Sequence, residues 1–307
     1  MDIPELPKKS LKETFPLSAE IKSALKDEGL IDENGRSLYC NSDVDVNIGD
    51  LITHSHQLPT GSIRLQFSIR NSDLCCLTEF TKLELVFAQY ITDISPLAES
   101  TALVSLVMNT CVGLEDVSSL EYSNIIDLSM YRCIELTDIA ALGKMRYLTT
   151  LTLDYSHKIE DISSLGKSTT LTNLSLVGTN VRDVTSLAES PSITVLNLSN
   201  CHRLTDVKPL GEMKKLTTLT ARNCNALSHI VGLGRSTSIV RLDLSYCTLV
   251  MNVSALGVIP TLDVLSLGSC INITCVDALK RVKTLNLRGC VRIADYTSVP
   301  HAITDRH

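Results

Sequence analysis

Aliphatic residues recur along the chain in triplets spaced i, i+3, i+5: Leu148, Leu151 and Leu153; Leu171, Leu174 and Leu176; Ile193, Leu196 and Leu198; Ile239, Leu242 and Leu244; Leu262, Leu265 and Leu267. The last two members of each triplet alternate with polar residues, the period-two signature of a short strand with one buried face. Beyond each strand comes an Asp, then Ile or Val, then Leu three residues further, as in Asp161-Ile162-Ser163-Ser164-Leu165. That second apolar pair predicts a tight return turn, because the segment is too short for a full helix.

The Asp column measures the repeat. From Asp206, steps of 22 or 23 reach Asp183, Asp161, Asp138, Asp116 and Asp93 in one direction and His229, Asn252 and Cys275 in the other. Steps of 20 then reach Asp73 and Asp295, so eleven units cover roughly 63–296. An Asp just ahead of a turn accepts hydrogen bonds from its first N–H groups and complements their partial positive charge. The column is therefore expected to cap the turns, and to cap them less well where His229, Asn252 and Cys275 replace it.

A single unit cannot bury its leucines alone. Each strand must pair in parallel with the next, so that the aliphatic columns merge into one core. With strands about 4.8 Å apart, eleven units would form a solenoid on the order of 50 Å long. A cysteine stands three residues after the last strand leucine at Cys111, Cys133, Cys201, Cys224, Cys247, Cys270 and Cys290, with Ser156 and Thr179 in its place elsewhere.

The resulting pattern, L-x-x-L-x-L-x-x-C-x-x-L-x-D-V-x-x-L, resembles a leucine-rich repeat over about three quarters of the chain. The short unit containing Asp93-Ile94-Ser95-Pro96-Leu97 is similar to the class shared by phosphatase-regulatory and internalin-type repeats. The cysteine column and stretches such as 198–210 resemble the leucine-rich repeat proteins abundant in trypanosomatids. The resemblance implies an α/β repeat fold: a right-handed solenoid with a parallel β-sheet on the concave face and short turns or 3-10 segments on the convex face. It also implies that the cysteine column turns inward, where a thiol can donate to loop carbonyls while packing as a small hydrophobe. Scaffold or adaptor work follows from the same resemblance, with no catalytic residue in the repeats.

The repeat divides the chain into an N-terminal region (1–60), a solenoid (61–296) and a tail (297–307). In the first, Ala19, Ile21, Ala24 and Leu25 share a helical face between Ser18 as N-cap and Gly29 as stop, and this helix is expected to cover the first unit. The tail leaves two alternatives: it folds back as a lid, or the open end docks on a partner or a second copy.

Composition sharpens the picture. The chain is 44% apolar but only 4% aromatic and has no Trp, so its core must be aliphatic. No apolar run is long enough for a membrane span, and the opening residues carry no apolar leader segment, which points to a soluble, unsecreted protein. The eleven cysteines include no C-x-x-C, and the sequons at Asn173 and Asn197 lie inside strands where a glycan has no room. Free thiols in a reducing, intracellular compartment are expected.

Candidate chemistry is sparse. Gly166-Lys167-Ser168 resembles the end of a phosphate-binding loop, but Asp161 stands where its first glycine is required. His54 and His56 have chelating i, i+2 spacing without a matching Cys or carboxylate, and Asp27/Glu28 and Glu115/Asp116 lie beside turns as solvated pairs. The expectation is a non-enzyme with no metal, cofactor or small-molecule substrate.

A partner is expected on the concave strands, where residues alternating with the leucines face outward. The candidates are Phe67, Phe87, Tyr131, Arg132, Tyr155, Arg222, Arg241, Asp243, Tyr246 and Arg288, since aromatics and arginines dominate interface hot spots. Arg222, Arg241, Asp243 and Tyr246 form the densest group. Charge is unevenly spread: 208–292 holds eleven basic residues against four acidic, a net of +7, leaving −13 elsewhere in a chain of −6. Arg146, Lys214, Lys215, Arg235 and Lys283 precede the first leucine of their units and should form a basic ridge. The leading expectation is a protein-binding scaffold within a larger assembly. The alternatives are an RNA-associated assembly factor using the basic C-terminal third, or an adaptor subunit of a phosphatase or ubiquitin ligase, although 1–60 carries no recognisable F-box or RING-like segment.

Overall fold

The computed structural model describes residues 62–66, 69, 71–78 and 80–304. The expected N-terminal cap, His54, His56 and Phe67 lie outside the described residues. The strands are β1 (Ser62–Gln66), β2 (Lys82–Val86), β3 (Ser105–Asn109), β4 (Asp127–Tyr131), β5 (Thr150–Thr152) and β6 (Asn173–Ser175). They continue as β7 (Val195–Asn197), β8 (Thr218–Thr220), β9 (Arg241–Asp243), β10 (Val264–Ser266) and β11 (Thr284–Asn286). Among the described residues they form one eleven-stranded sheet in chain order, and every neighbouring pair is parallel.

Register follows the triplets. Leu83, Leu106, Leu128, Leu151, Leu174, Leu196, Leu219, Leu242, Leu265 and Leu285 stand opposite one another across ten consecutive strands. Each is no more than 2% exposed. A slip of one residue would put this entire row into water, at about 1.5–3 kcal/mol for each leucine, which is why the sheet holds a single register.

The opposite side of each coil is a short 3-10 segment, with one α-helical turn, α1 (Ser95–Ala98). The Asp column starts these segments by accepting the backbone N–H two residues on: Asp116 from Ser118 at 2.7 Å, Asp161 from Ser163 at 2.8 Å, Asp183 from Thr185 at 2.7 Å and Asp206 from Lys208 at 2.6 Å. Asn252 does the same for Ser254 at 2.9 Å, so the weaker capping expected there is corrected: the bond needs an acceptor oxygen, and an amide supplies one. At the other two replacements the polar contacts differ. His229 Nδ1 lies 3.0 Å from Ser228 Oγ, and the Cys275 thiol donates to Asp277 at 3.4 Å.

Buried serines turn the chain back toward the sheet. Ser100, Ser168, Ser190 and Ser236 each accept, on the side-chain oxygen, the N–H of the residue three positions on, which is the first aliphatic residue of the next triplet. These are local side-chain turns in sealed positions, where an unmet amide would cost about 1–3 kcal/mol.

Recurring Leu-Gly pairs bring neighbouring 3-10 segments into backbone contact. A Cβ added at Gly166 or Gly211 would stand 2.0 Å from a carbonyl oxygen of the next coil, and one at Gly257 2.1 Å. At the C-terminal end the tail folds back. Ile303 bridges to Asn286 and exchanges backbone bonds with Leu285 and Leu287 at 2.8 Å, while Val299 and Ala302 are buried. His301 Nε2 lies 2.7 Å from the Val282 carbonyl, and Ser298 donates to Asp277 at 2.8 Å. The tail therefore continues the core and covers part of its end.

Candidate interaction surface

The cysteine column is the inner lining beneath the outward surface. Cys201, Cys224, Cys247, Cys270 and Cys290 are buried, and each thiol donates to the carbonyl closing the previous coil's strand segment (Leu176, Leu198, Ala221, Leu244 and Leu267) at 3.0–3.2 Å. Thr179 and Ser156 serve the same zone with hydroxyls: Thr179 donates to Leu176 at 2.8 Å, and Ser156 accepts from the Cys133 amide at 3.1 Å. Burial pushes the Cys201 thiol up to about 11 and that of Cys270 up to about 12. Cys111 is likewise raised, by its hydrogen bond with Cys133 and by burial. The raised thiols of Cys111, Cys201 and Cys270 are poor nucleophiles and metal ligands in this setting, since both roles need the thiolate, whereas the hydrogen bond with Cys224 lowers Cys247.

Immediately before each column residue the backbone turns left-handed. Phe87, Thr110, Arg132, Tyr155, Asn200, Asn223, Tyr246 and Ser269 have φ between 55° and 65°, and Gly178 and Gly289 occupy equivalent positions. The expectation that Phe87, Arg132, Tyr155 and Tyr246 alternate with strand leucines is therefore corrected. They lie past the strand, where the chain must reverse its twist to bring the cysteine inward. A side chain with a Cβ costs roughly 1–2 kcal/mol in this conformation, and glycine or asparagine accommodates it best. Large aromatic and arginine side chains held there occupy strained positions that project outward, and such strain concentrates at functional sites.

The candidates fall into separate groups. Tyr131 ends β4 and its ring meets that of Tyr155 edge-on at 5.3 Å between centroids, with Arg132 5.8 Å above Tyr131. Gly178 forms the floor, since a Cβ there would lie 2.8 Å from the Tyr155 ring. His157 packs edge-on to Tyr155 at 6.4 Å, and its Nδ1 lies 2.7 Å from the Gly178 carbonyl, so the proton on this nitrogen points inward. Beside them Asp154 accepts from Ser175 Oγ at 2.7 Å and from the Val177 amide at 2.9 Å, while burial raises its carboxyl above the usual value.

The second group lies across β8 and β9. Arg241 and Asp243 project from the open face of β9, on either side of buried Leu242. Arg222 pairs with Asp243 at 3.1 Å and lies 5.6 Å over the Tyr246 ring, which is 49% exposed. Asp243 also accepts from the Ser245 amide at 2.9 Å and its hydroxyl at 2.6 Å, so both of its oxygens are engaged. Arg288 follows β11, exposed, and Phe87 follows β2, partly exposed. On the ridge, Arg235 is paired with Glu212 and Lys283 with Asp263, both at 2.8 Å, which neutralises two of its expected charges.

A parallel sheet in strict chain order, an inward cysteine column and capped 3-10 turns repeating at 20–23 residues together decide the architecture. The fold is a leucine-rich-repeat solenoid. Among solved structures, the leucine-rich-repeat chain is similar to an internalin, InlF, from Listeria monocytogenes, at 17% identity, with a TM-score of 0.59 and coverage of 93% of this chain and 92% of that one. It is also similar to internalin C2 from the same organism, at 22% identity and a TM-score of 0.53, covering 74% of this chain and 93% of that one. No family model and no curated protein matches the sequence. Among the described residues no helix is long and apolar enough to cross a membrane, and no cluster of three potential metal ligands occurs.

Proposed function

We propose that this solenoid is a non-catalytic interaction module that takes a protein partner on its concave face as a scaffold within a larger assembly. The observation that carries the reading is the left-handed column. Bulky Phe87, Arg132, Tyr155 and Tyr246 stand where Gly178, Asn200 and Asn223 supply the same turn at lower cost. Outward aromatic and arginine side chains on a rigid sheet are what an interface anchors on, since little side-chain freedom is lost when they are covered. The buried thiols and the small alternating Ser, Thr and Asn side chains between the groups fit surface recognition rather than bond chemistry. Thiols that donate to carbonyls also fit a reducing, intracellular setting, because oxidation would remove those donors.

The test is affinity capture from cells with the full chain, its R222A/R241A/Y246A variant and its Y131A/Y155A variant. Loss of the same bound protein in either variant, with unchanged thermal melting, supports the reading. Retention of every partner by both variants refutes it.

A further inference from the structure

Among the described residues, two arginines on the C-terminal half of the concave face, Arg241 and Arg288, make no ion pair. Within 208–292 the four acidic residues are all engaged: Glu212 with Arg235, Asp243 with Arg222, Asp263 with Lys283, and Asp277 with Ser298 and Cys275. Three of these carboxylates are in ion pairs and Asp277, held by two neutral donors, lies on the convex turn Asp277–Arg281, so none of the four pairs with Arg241 or Arg288, which project exposed on the sheet side. Between them the surface is low and polar. The register row from Arg222 to Arg288 runs through buried Ser245 and Gly268, as the amide bonds of the adjoining left-handed residues show.

We propose that this half of the sheet is a docking surface for an extended acidic peptide segment of a partner protein, which deepens and rests on the concave-face reading. Arg222 and Arg288 are three strands apart, about 14 Å at parallel-strand spacing. Arg241 stands four residues before Ser245, about 13 Å along the strand direction. These separations exceed the reach of one tetrahedral anion and match a chain carrying spaced carboxylates, with Arg241 and Arg288 each offering a guanidinium fork to one of them. The small floor lets a backbone lie close to the sheet. The Arg222–Tyr246 stack, backed by Asp243, holds one wall in a fixed orientation. RNA fits less well: Tyr246 is the single aromatic ring of this group and Arg222 already covers one of its faces, so a run of stacked bases finds no series of rings here.

The test uses the full chain and fluorescence anisotropy with three labelled probes: a twelve-residue Glu-Gly peptide, the matching Gln-Gly peptide and a twelve-nucleotide oligouridylate. Binding of the Glu-Gly peptide alone is expected, weakened by about ten-fold or more in R241E/R288E, where each contact becomes a repulsion. Both side chains are solvent-exposed, so unchanged melting is expected and separates a binding effect from misfolding. Equal binding of the Gln-Gly peptide, no binding of the Glu-Gly peptide, tighter binding of oligouridylate, or full binding by R241E/R288E overturns the inference. The two readings fail separately. Partner capture lost in Y131A/Y155A but kept in R241E/R288E removes the acidic-segment proposal and leaves the concave-face reading intact.

Discussion

Replacing Gly211 by Ala sets local propensity against packing. Gly211 lies in the 3-10 segment Lys208–Glu212, where helix propensity alone predicts that alanine stabilises by about 1 kcal/mol. The added Cβ would lie 2.0 Å from the Gly232 carbonyl oxygen, 2.8 Å from its carbonyl carbon and 3.2 Å from the Leu233 Cα. All three are backbone atoms of the next coil, so no rotamer change relieves the overlap and the two turns must separate by on the order of 1 Å. Overpacking of this kind costs about 1–3 kcal/mol, and in a stacked array the loss falls on the interface through which neighbouring coils support each other. The net expectation for G211A is a loss of about 1–2 kcal/mol, read as a lower urea midpoint by far-UV circular dichroism. G268A is the control, because its Cβ would meet the side-chain amide of Asn286 at 3.3 Å and otherwise only make ordinary contacts, at 3.6 Å, with the Arg288 carbonyl oxygen and Ser245 Oγ. A G211A protein as stable as the parent, with G268A equally silent, would refute the claim that backbone contact between convex turns sets their spacing.

Two carboxylates should respond to pH in opposite senses. Hydrogen bonds from the Thr185 hydroxyl and amide hold the Asp183 carboxyl below its ordinary value, so its contribution is present above the unfolded carboxylate range and lost as pH falls through the lower folded value. D183A is expected to cost about 1 kcal/mol at neutral pH and progressively less in acid, whereas D183N should keep the turn as Asn252 does. Asp154 is raised by burial, so its contribution is present below the unfolded value and lost as pH rises through the folded one. D154N, which keeps an acceptor for Ser175 and Val177, should gain stability at neutral pH and lose that advantage in acid. Urea midpoints at neutral and acidic pH check both, and parallel profiles for the two substitutions would contradict the assignment. Pulse alkylation of the native protein with iodoacetamide should modify exposed Cys275 and spare Cys201, Cys224, Cys247 and Cys270 until the chain is unfolded. Mass-spectrometric detection of early modification in the column would show that it opens to solvent.

The legible parts of this protein are those written once per coil in side-chain type. The i, i+3, i+5 triplets announce a strand, a corner and a common inward face, and their repetition makes the register of Leu83 through Leu285 unavoidable. The Asp and Cys columns were equally readable, because a short acceptor before a turn and a small thiol after a strand each have few structural uses. The left-handed column was hidden. Only Gly178, Gly289, Asn200 and Asn223 carry its usual signature, and Phe87, Arg132, Tyr155 and Tyr246 look like ordinary strand residues in a linear pattern. The buried serines and the Leu-Gly pairs were hidden for a related reason: their partners lie in the same tight corner or a whole coil away, at separations where a single sequence shows no periodic contrast. Alternation also named the surface candidates without sorting them. It could not tell that Tyr131 and Tyr155 meet over a glycine floor, or that, among the described residues, Arg222 is in an ion pair while Arg241 and Arg288 are not.

By itself the sequence determined a single parallel stack of short coils with an aliphatic spine, because burying periodic leucines admits one register and one direction of growth. Tertiary structure alone decided which outward side chains stand free, how closely the convex turns approach, and that the tail returns to pair with β11. Those outcomes depend on distances between groups some twenty or more residues apart. Residue type fixes what such groups can do when they meet, and only the stacking of one coil on the next brings them within reach.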